Sequence, residues 1–149
     1  MIILKKKYAW LLLLGASNAC NSKSNGQDPA PKAQVEVRVT GADVSGLGAS
    51  FEYYVKPARQ QPALYLASIV NEGVTTESMG NWDQTTEATL VLEFNRVTNT
   101  STIQPRVGSM IKGELIINGQ VKSTVILDKS TAYGNLDHPA NSASVLIGK

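Results

Sequence analysis

The sequence predicts an all-β fold: a single antiparallel β-sandwich of about seven strands, immunoglobulin-like in architecture. Three observations support this prediction. Apolar and polar residues alternate with a period of two through much of residues 34–149, no segment shows a sustained apolar period of 3.6 residues, and turn-forming residues separate the apolar runs. Such a series of short strands is typical of a sandwich rather than of a parallel sheet covered by helices, and a small barrel is the alternative.

The first four strands follow from these patterns. Residues 34–40 carry a valine at every second position, and residues 51–56 alternate apolar with polar side chains in the same way. Residues 63–70 and 87–97 are rich in aliphatic and aromatic residues, which suit a pleated and half-buried surface. We therefore expect the last two segments to be inner strands.

A β-hairpin is the clearest local feature of the chain. Asn118-Gly119 lies between two apolar runs, and a type I′ turn needs the positive φ that Asn and Gly adopt most easily. The sequence therefore predicts that residues 110–117 pair with residues 120–128. A last short strand is expected over residues 144–147.

The first residues have the three-part layout of a secretory signal peptide. Lys5, Lys6 and Lys7 precede a short apolar run over residues 8–15, and small residues follow it. The run is too short to cross a bilayer, which takes about 20 apolar residues. We therefore expect residues 1–19 to direct export and then to be removed.

Cleavage after Ala19 would leave Cys20, the only cysteine of the chain, at the new N-terminus. The pair Ala19-Cys20 resembles the lipobox of bacterial lipoproteins, whose cysteine receives a diacylglyceryl group. Ser17 stands where that motif usually has an aliphatic residue, and the segment also fits an ordinary signal peptidase site. An exported chain with one cysteine forms no internal disulfide, and lipidation would remove its free thiol.

The lipobox resemblance implies a protein of the bacterial cell envelope, anchored to the membrane by lipid on Cys20. Asn21 stands where some lipoproteins carry an Asp that retains them in the inner membrane, which favours the outer membrane. A secreted soluble protein and a retained signal anchor are the alternatives.

Composition then divides the mature chain into a tether and a domain. Residues 20–33, the lipidated cysteine and a polar segment with prolines, are expected to form a disordered tether with a reach of roughly 20 Å. Residues 34–149 are sufficient for one domain with one core. Loss of Lys5, Lys6 and Lys7 changes the formal net charge from +2 to −1, so nucleic acid is not an expected partner.

From Val37 onward the chain contains Val39-Thr40-Gly41, a tyrosine-bearing strand, a tryptophan in a polar segment, a leucine-rich strand and the stretch GELIING over residues 113–119. This order resembles small exported domains of the mycobacterial membrane protein small type and their lipoprotein relatives. In that family a Pro usually precedes the tryptophan, where this chain has Asn81. The resemblance implies a β-sandwich, and the mycobacterial members act as accessories to large envelope exporters.

The residue inventory gives little support to catalysis. His138 is the only histidine, so a multi-histidine zinc site or a Cys-His pair with a membrane-tethered Cys20 is not expected. No serine lies in a nucleophile elbow, and the glycine-rich segment 41–48 lacks the spacing of a phosphate loop. We therefore expect no enzyme activity, no cofactor and no metal.

Residues 71–86 are predicted to form a long loop, a length typical of binding loops. Trp82 lies in this segment beside Asp83, where its ring is expected either to bind a sugar or a protein, or to cover the end of the core. Calcium binding by Glu72, Glu77 and Asp83 is a further alternative, although their spacing matches no calcium loop.

Tyr54 joins Trp82 and Asp83 as a candidate binding residue. Because adjacent strand residues face opposite sides, Tyr53 and Tyr54 cannot both be buried.

The tether, the all-β pattern and the missing catalytic residues together predict the function. It is a lipid-anchored, non-catalytic module that binds an envelope protein, as an accessory of an envelope complex. The alternative is an extracytoplasmic binder of carbohydrate or another small ligand that uses Trp82 and tyrosines, although the aromatic content is only 6%.

Overall fold

The computed structural model describes residues 31–57, 64–131 and 138–149, which form two packed antiparallel sheets. The strands are β1 (Lys32–Ala42), β2 (Ala49–Lys56), β3 (Leu64–Ile69), β4 (Gly73–Asp83), β5 (Glu87–Phe94), β6 (Met110–Ile117), β7 (Gln120–Asp128) and β8 (Ala140–Leu146). The first sheet has the order β4-β1-β6-β7 and the second the order β3-β2-β5-β8. The predicted all-β antiparallel sandwich is confirmed, with eight described strands instead of about seven.

The core lies between the sheets and is built on the predicted alternation. In β1, Val35, Val37 and Val39 are at most 1% exposed, while the residues between them are partly exposed. In β2, Phe51 and Val55 are buried in the same way. Gly113 of β6 also faces the core, where an added Cβ would lie only 2.5 Å from Cδ2 of Leu90. The two sheets therefore approach closely at this glycine.

The predicted hairpin is confirmed over its whole length. Strand β6 pairs with β7, and both turn residues have positive φ, 49° at Asn118 and 76° at Gly119. The turn also contacts β1, because the Asn118 side-chain oxygen accepts a hydrogen bond from the Gln34 backbone N–H at 3.0 Å. The Asn118 N–H in turn donates to the Gln34 carbonyl at 3.0 Å.

The segment predicted as a long loop, residues 71–86, is instead mostly strand β4, and that prediction is wrong. β4 is an edge strand that pairs with β1 alone, so one of its faces and one of its backbone edges remain outside the core. Polar residues such as Thr75 and Thr76 are therefore tolerated in this strand. The backbone hydrogen bonds to β1 hold β4 in the sheet although its sequence lacks alternating apolar residues.

Two further strand predictions need correction. The segment over residues 63–70 was expected to be an inner strand, but β3 lies at a sheet edge and leaves Ile69 75% exposed. The last strand, β8, begins at Ala140 rather than at residue 144. The other predicted inner strand, over residues 87–97, is confirmed as β5 between β2 and β8.

The strand directions give the sandwich two different ends. At the N-terminal end, where β1 begins, lie the turns over residues 84–86 and 118–119 and the segment 147–149. The strands β2 and β3 are also joined at this end, through residues 57–63, of which residues 58–63 are outside the described part of the chain. At the opposite end lie the connections over residues 43–48, 70–72, 95–109 and 129–139, of which residues 132–137 are outside the described part of the chain. We call this second end the loop end.

A charged cluster covers the outer face of the first sheet. The Glu114 carboxylate, on β6, accepts hydrogen bonds from Lys112 Nζ at 2.7 Å and from Arg38 Nε at 2.6 Å. The hydrogen bond from Lys112 has the largest effect and that from Arg38 the next, and both hold the pKa of Glu114 below its usual value. The cluster joins β1 to β6 and leaves the Glu114 carboxylate with both oxygens engaged.

One titratable group lies in the core itself. Tyr53 of β2 is 4% exposed, and Glu77 of β4 is the cross-strand partner of Val37, so its side chain lies on the core side of the sheet. Burial, and secondarily the negative charge of Glu77, raise the pKa of the Tyr53 phenol above 10.0. Ionisation of this phenol therefore opposes folding.

We predict that the protein loses stability at alkaline pH through Tyr53. The tyrosine of the unfolded chain ionises near 10.0, whereas the folded phenol stays neutral to a higher pH, so the free energy of unfolding falls as pH rises beyond that value. Tyr53→Phe should lack this part of the loss when urea unfolding is compared between about pH 8 and about pH 11. Tyr54→Phe keeps the buried phenol and should retain the wild-type loss. Equal alkaline losses in the two variants would contradict the prediction.

Candidate functional site at the loop end

A carboxylate joins two connections at the loop end. Glu72, just before β4, accepts hydrogen bonds from the backbone N–H of Asp43 at 2.9 Å and of Val44 at 2.8 Å. Asp43 has a positive φ of 49°, which turns the chain out of β1 and brings both N–H groups to the same side. The β1–β2 connection is therefore held to the β3–β4 connection by one side chain.

Two glycines allow the backbones at this end to approach closely. A Cβ on Gly41 would collide with the carbonyl oxygen of Asn71, and one on Gly48 would lie 2.7 Å from Cγ of Arg96. Arg96 also donates its backbone N–H to the Leu47 carbonyl at 3.0 Å. These contacts fix the position of the Arg96 side-chain stem against the β1–β2 connection.

Two open clefts flank the Glu72 contact. The first has a volume of about 660 Å³ and is lined by Ser45, Ile69 and Arg96, among others. The second has a volume of about 540 Å³, is more polar, and includes Gln104 and Arg106 in its lining. Glu72 lines both clefts. Each cleft thus combines one arginine with residues of at least two connections.

Neither arginine is neutralised by a neighbour in the described part of the chain. The ion pairs within 4.0 Å among those residues involve Arg38, Lys112 and His138, and not Arg96 or Arg106. Arginine is enriched at protein interfaces, and grouped exposed apolar side chains mark interaction surfaces. The loop end has both.

Exposed aliphatic side chains are concentrated at this end. Ile69 is 75% exposed, Val74 65%, Ile103 42% and Val107 88%. All four lie in or directly beside the connections of the loop end. Large apolar side chains grouped at one end of a domain are typical of an interaction surface.

The sequence predictions did not identify the most important of these connections. Residues 95–109 cross from β5 to β6 without strand structure and contain Ile103, Arg106 and Val107. The connection is ordered from within, because the Gln104 side-chain amide donates to the carbonyls of Thr98 and Ser101, both at 3.1 Å. Two features of its sequence could have identified this connection: its length and its lack of alternating apolar and polar residues. Residues 71–86 have the same two features, and that segment was predicted as the loop instead.

Trp82 and Asp83 lie at the N-terminal end, far along β4 from the loop end. The Trp82 ring packs partly against the core, and its Nε1–H donates to the Met79 carbonyl at 2.6 Å. The register of β4 shifts next to Gly80, which has φ of 86°, and this bulge turns Met79 into the core. The structure thus agrees with the alternative in which Trp82 covers the end of the core.

Tyr54 does not join Trp82 and Asp83. It lies on the outer face of the second sheet, half-buried and opposite Thr89 in register, whereas Trp82 belongs to the first sheet. The three residues predicted as a binding site therefore form no common site. Cys20, the predicted lipidation residue, lies outside the described residues.

The three acidic residues considered as calcium ligands are dispersed along β4 and its start. No group of three or more His, Cys, Asp or Glu side chains among the described residues is arranged to hold a metal ion. Glu72 and Asp83 lie at opposite ends of β4, and Glu77 lies between them on the core side. His138 Nε2 is 3.5 Å from a carboxylate oxygen of Glu93 and makes no hydrogen bond to described residues.

No family model matches this sequence, and searches of curated proteins and of solved structures find no match either. The likeness to the mycobacterial membrane protein small domains therefore stays a resemblance of short sequence strings. Over residues 31–57, 64–131 and 138–149, no helix has the length and hydropathy needed to cross a bilayer. The fold is a β-sandwich whose two longest connections between strands, over residues 95–109 and 129–139, start and end at the loop end.

We predict that Glu72→Ala loosens the loop end. The substitution leaves the Asp43 and Val44 N–H groups without their acceptors and should cost about 1–2 kcal/mol of unfolding free energy. Hydrogen exchange at Val44 should become faster, and Glu72→Gln, which keeps one acceptor oxygen, should lose less. The exposed Glu87→Ala serves as the control and should change stability by no more than about 0.5 kcal/mol. Unchanged exchange at Val44 would contradict the role of Glu72.

We predict that Trp82→Phe destabilises the domain by about 1 kcal/mol, because the ring remains but the Met79 carbonyl loses its donor. Urea unfolding followed by circular dichroism measures this change without a tryptophan signal. Tyr54→Phe, on the outer face of the other sheet, is expected to differ from wild type by less than about 0.5 kcal/mol. A fully stable Trp82→Phe would show that the indole N–H is replaceable by water.

Proposed function

We propose that the protein is a lipid-anchored, non-catalytic β-sandwich of the bacterial envelope that binds a protein partner through its loop end. The observation that supports this most is the group of exposed aliphatic side chains there, with Val107 88% exposed and Ile69 75% exposed. Arg96 and Arg106 lie among them with no ion pair to a described carboxylate. An accessory role in an envelope complex is the narrower form of the proposal.

The direction of β1 supports the same arrangement. An anchor on Cys20 would reach the domain at Lys32, where β1 begins, and β1 then runs eleven residues to the loop end. At about 3.3 Å per residue this strand places the loop end roughly 35 Å from the point of attachment. The connections would then face away from the membrane that holds the anchor.

A carbohydrate or small-ligand site has less support. Stacking on a sugar needs an exposed aromatic face, and the Trp82 ring packs against the core while its N–H is bonded to Met79. The described linings of the two clefts beside Glu72 contain no aromatic residue. Aliphatic and arginine side chains suit a protein surface better.

The anchoring part of the proposal is tested by intact mass. Protein extracted from membranes should begin at Cys20 and carry the added mass of acyl chains, and Cys20→Ser should remove that mass and release the chain into the soluble fraction. An unmodified wild-type chain in the soluble fraction would overturn the lipid anchor.

The binding part is tested by site-specific crosslinking in intact envelopes. A photoreactive residue in place of Val107 should give a discrete crosslinked protein, and Ile103→Asp in the same chain should abolish it. The same photoreactive residue in place of Thr124, exposed on β7 away from the loop end, is the matched control. Equal products from both positions, or none from Val107, would overturn the proposal.

A further inference from the structure

Lysines accumulate at the N-terminal end of the sandwich. The lysines described there are exposed and lie at or near the end of a strand or in the segment after β8. They are Lys32, Lys56, Lys122 and Lys149. The acidic side chains that the structure describes at this end are Asp83, Glu87 and Glu36 of β1, whose register partner Ile116 pairs with Val121 beside Lys122. Cations are thus in excess where the chain enters the domain.

The excess is localised. Lys32 is the register partner of Asp83, and Lys56 is the register partner of Glu87, so these charges lie beside opposite ones. Lys122 and Lys149 have no such partner and together line a cleft of about 310 Å³. The cleft also contains Gln84, Asn118 and Gln120, and none of its described lining residues has an acidic side chain.

The two lysines are placed there by features of the backbone. The register of the β6–β7 pair shifts beside Ile116, which leaves Lys122 as the extra residue of a bulge, and its side chain is exposed. Lys149 follows Gly148, whose N–H donates to the Gln84 carbonyl at 2.9 Å. Ammonium and amide donors therefore converge around one space, which is the donor set that a phosphate group accepts.

Apolar side chains are also exposed at this end of the sandwich. Val121 is 47% exposed, Leu146 is 36% exposed, and the Trp82 ring is half-buried at the same end. Aliphatic and tryptophan side chains beside lysines are typical of surfaces that lie at the boundary between lipid headgroups and acyl chains.

We propose that the N-terminal end docks on the membrane surface by binding anionic lipid headgroups, with Lys122 and Lys149 as the principal contacts. This inference rests on the proposed anchoring, because a lipid on Cys20 would hold the N-terminal end near the headgroups. Docking would hold the sandwich upright on the membrane, so that the loop end faces its partner in a fixed direction. On the tether alone, the domain would rotate freely.

The test uses the full mature chain with Cys20→Ser, which cannot be acylated. It should sediment with vesicles of phosphatidylcholine containing about one third phosphatidylglycerol, but not with phosphatidylcholine alone, and about 0.5 M salt should release it. Lys122→Gln with Lys149→Gln should weaken partitioning by roughly fivefold for each lysine. Lys129→Gln, an exposed lysine at the loop end, is the matched control and should leave partitioning unchanged.

Trp82 supplies a second readout, because it is the only tryptophan after residue 19. Its emission should shift to shorter wavelength on anionic vesicles, and lipids brominated near the headgroup should quench it. The shift should disappear in the double lysine variant, whose circular dichroism shows whether the fold is kept.

The outcomes separate this inference from the anchoring proposal. Three results would each overturn the docking surface, even if the wild type is acylated. They are no sedimentation with anionic vesicles, an equal loss of partitioning in Lys129→Gln, and an unchanged Trp82 spectrum on bound vesicles. Retention in envelopes that depends on Lys122 and Lys149 but not on anionic lipid would assign the surface to an acidic protein and also overturn it. An unacylated wild type that still binds anionic vesicles would overturn the anchor alone.

Discussion

The structure depends on the burial of alternate side chains along β1 and β2. Each of these strands is central in its own sheet, and each presents apolar residues to the other sheet, such as Val37 and Phe51, which are almost completely buried. Burying a side chain of this size contributes about 1.5–3 kcal/mol. Because a slip of one residue would turn every such side chain to the solvent, the alternation fixes the register in which β3, β4, β5 and β6 pair with these two strands.

The placement of the connections follows from that pairing. β1 runs from the N-terminal end to the loop end, and its antiparallel neighbours β4 and β6 both start at the loop end. The long 95–109 connection must therefore lie there, next to the β1–β2 and β3–β4 connections, and Glu72 bonds the last two together. The clefts are a consequence of topology more than of any local motif.

The parts that the sequence predicts well are those with local causes. The hairpin over residues 110–128 depends on Asn118-Gly119 and on two adjacent apolar runs, and the buried face of β1 depends on its own alternation. β4 was missed because an edge strand needs few apolar residues once β1 supplies its hydrogen bonds. The Glu72 contact was not predictable, since its partners Asp43 and Val44 lie 29 and 28 residues away along the chain. The Trp82 hydrogen bond was not predictable either, because the bulge at Met79 makes its acceptor available.

The sheet edges differ in how well they are protected against pairing with another chain. β4 could accept a further strand along its free edge, but its bulge at Met79-Gly80 bends it and Glu77 lies on its core side, and both features disfavour strand addition. On the opposite side, the Asn141 side-chain amide donates to the Ile126 carbonyl at 2.7 Å and ties β8 to β7. These features protect β4 and the β7–β8 side. The proposed partner surface remains the loop end, where exposed apolar side chains lie with two arginines that form no ion pair with described residues. That surface points away from the cationic end where the tether would enter, so membrane attachment and partner binding would not compete for the same residues.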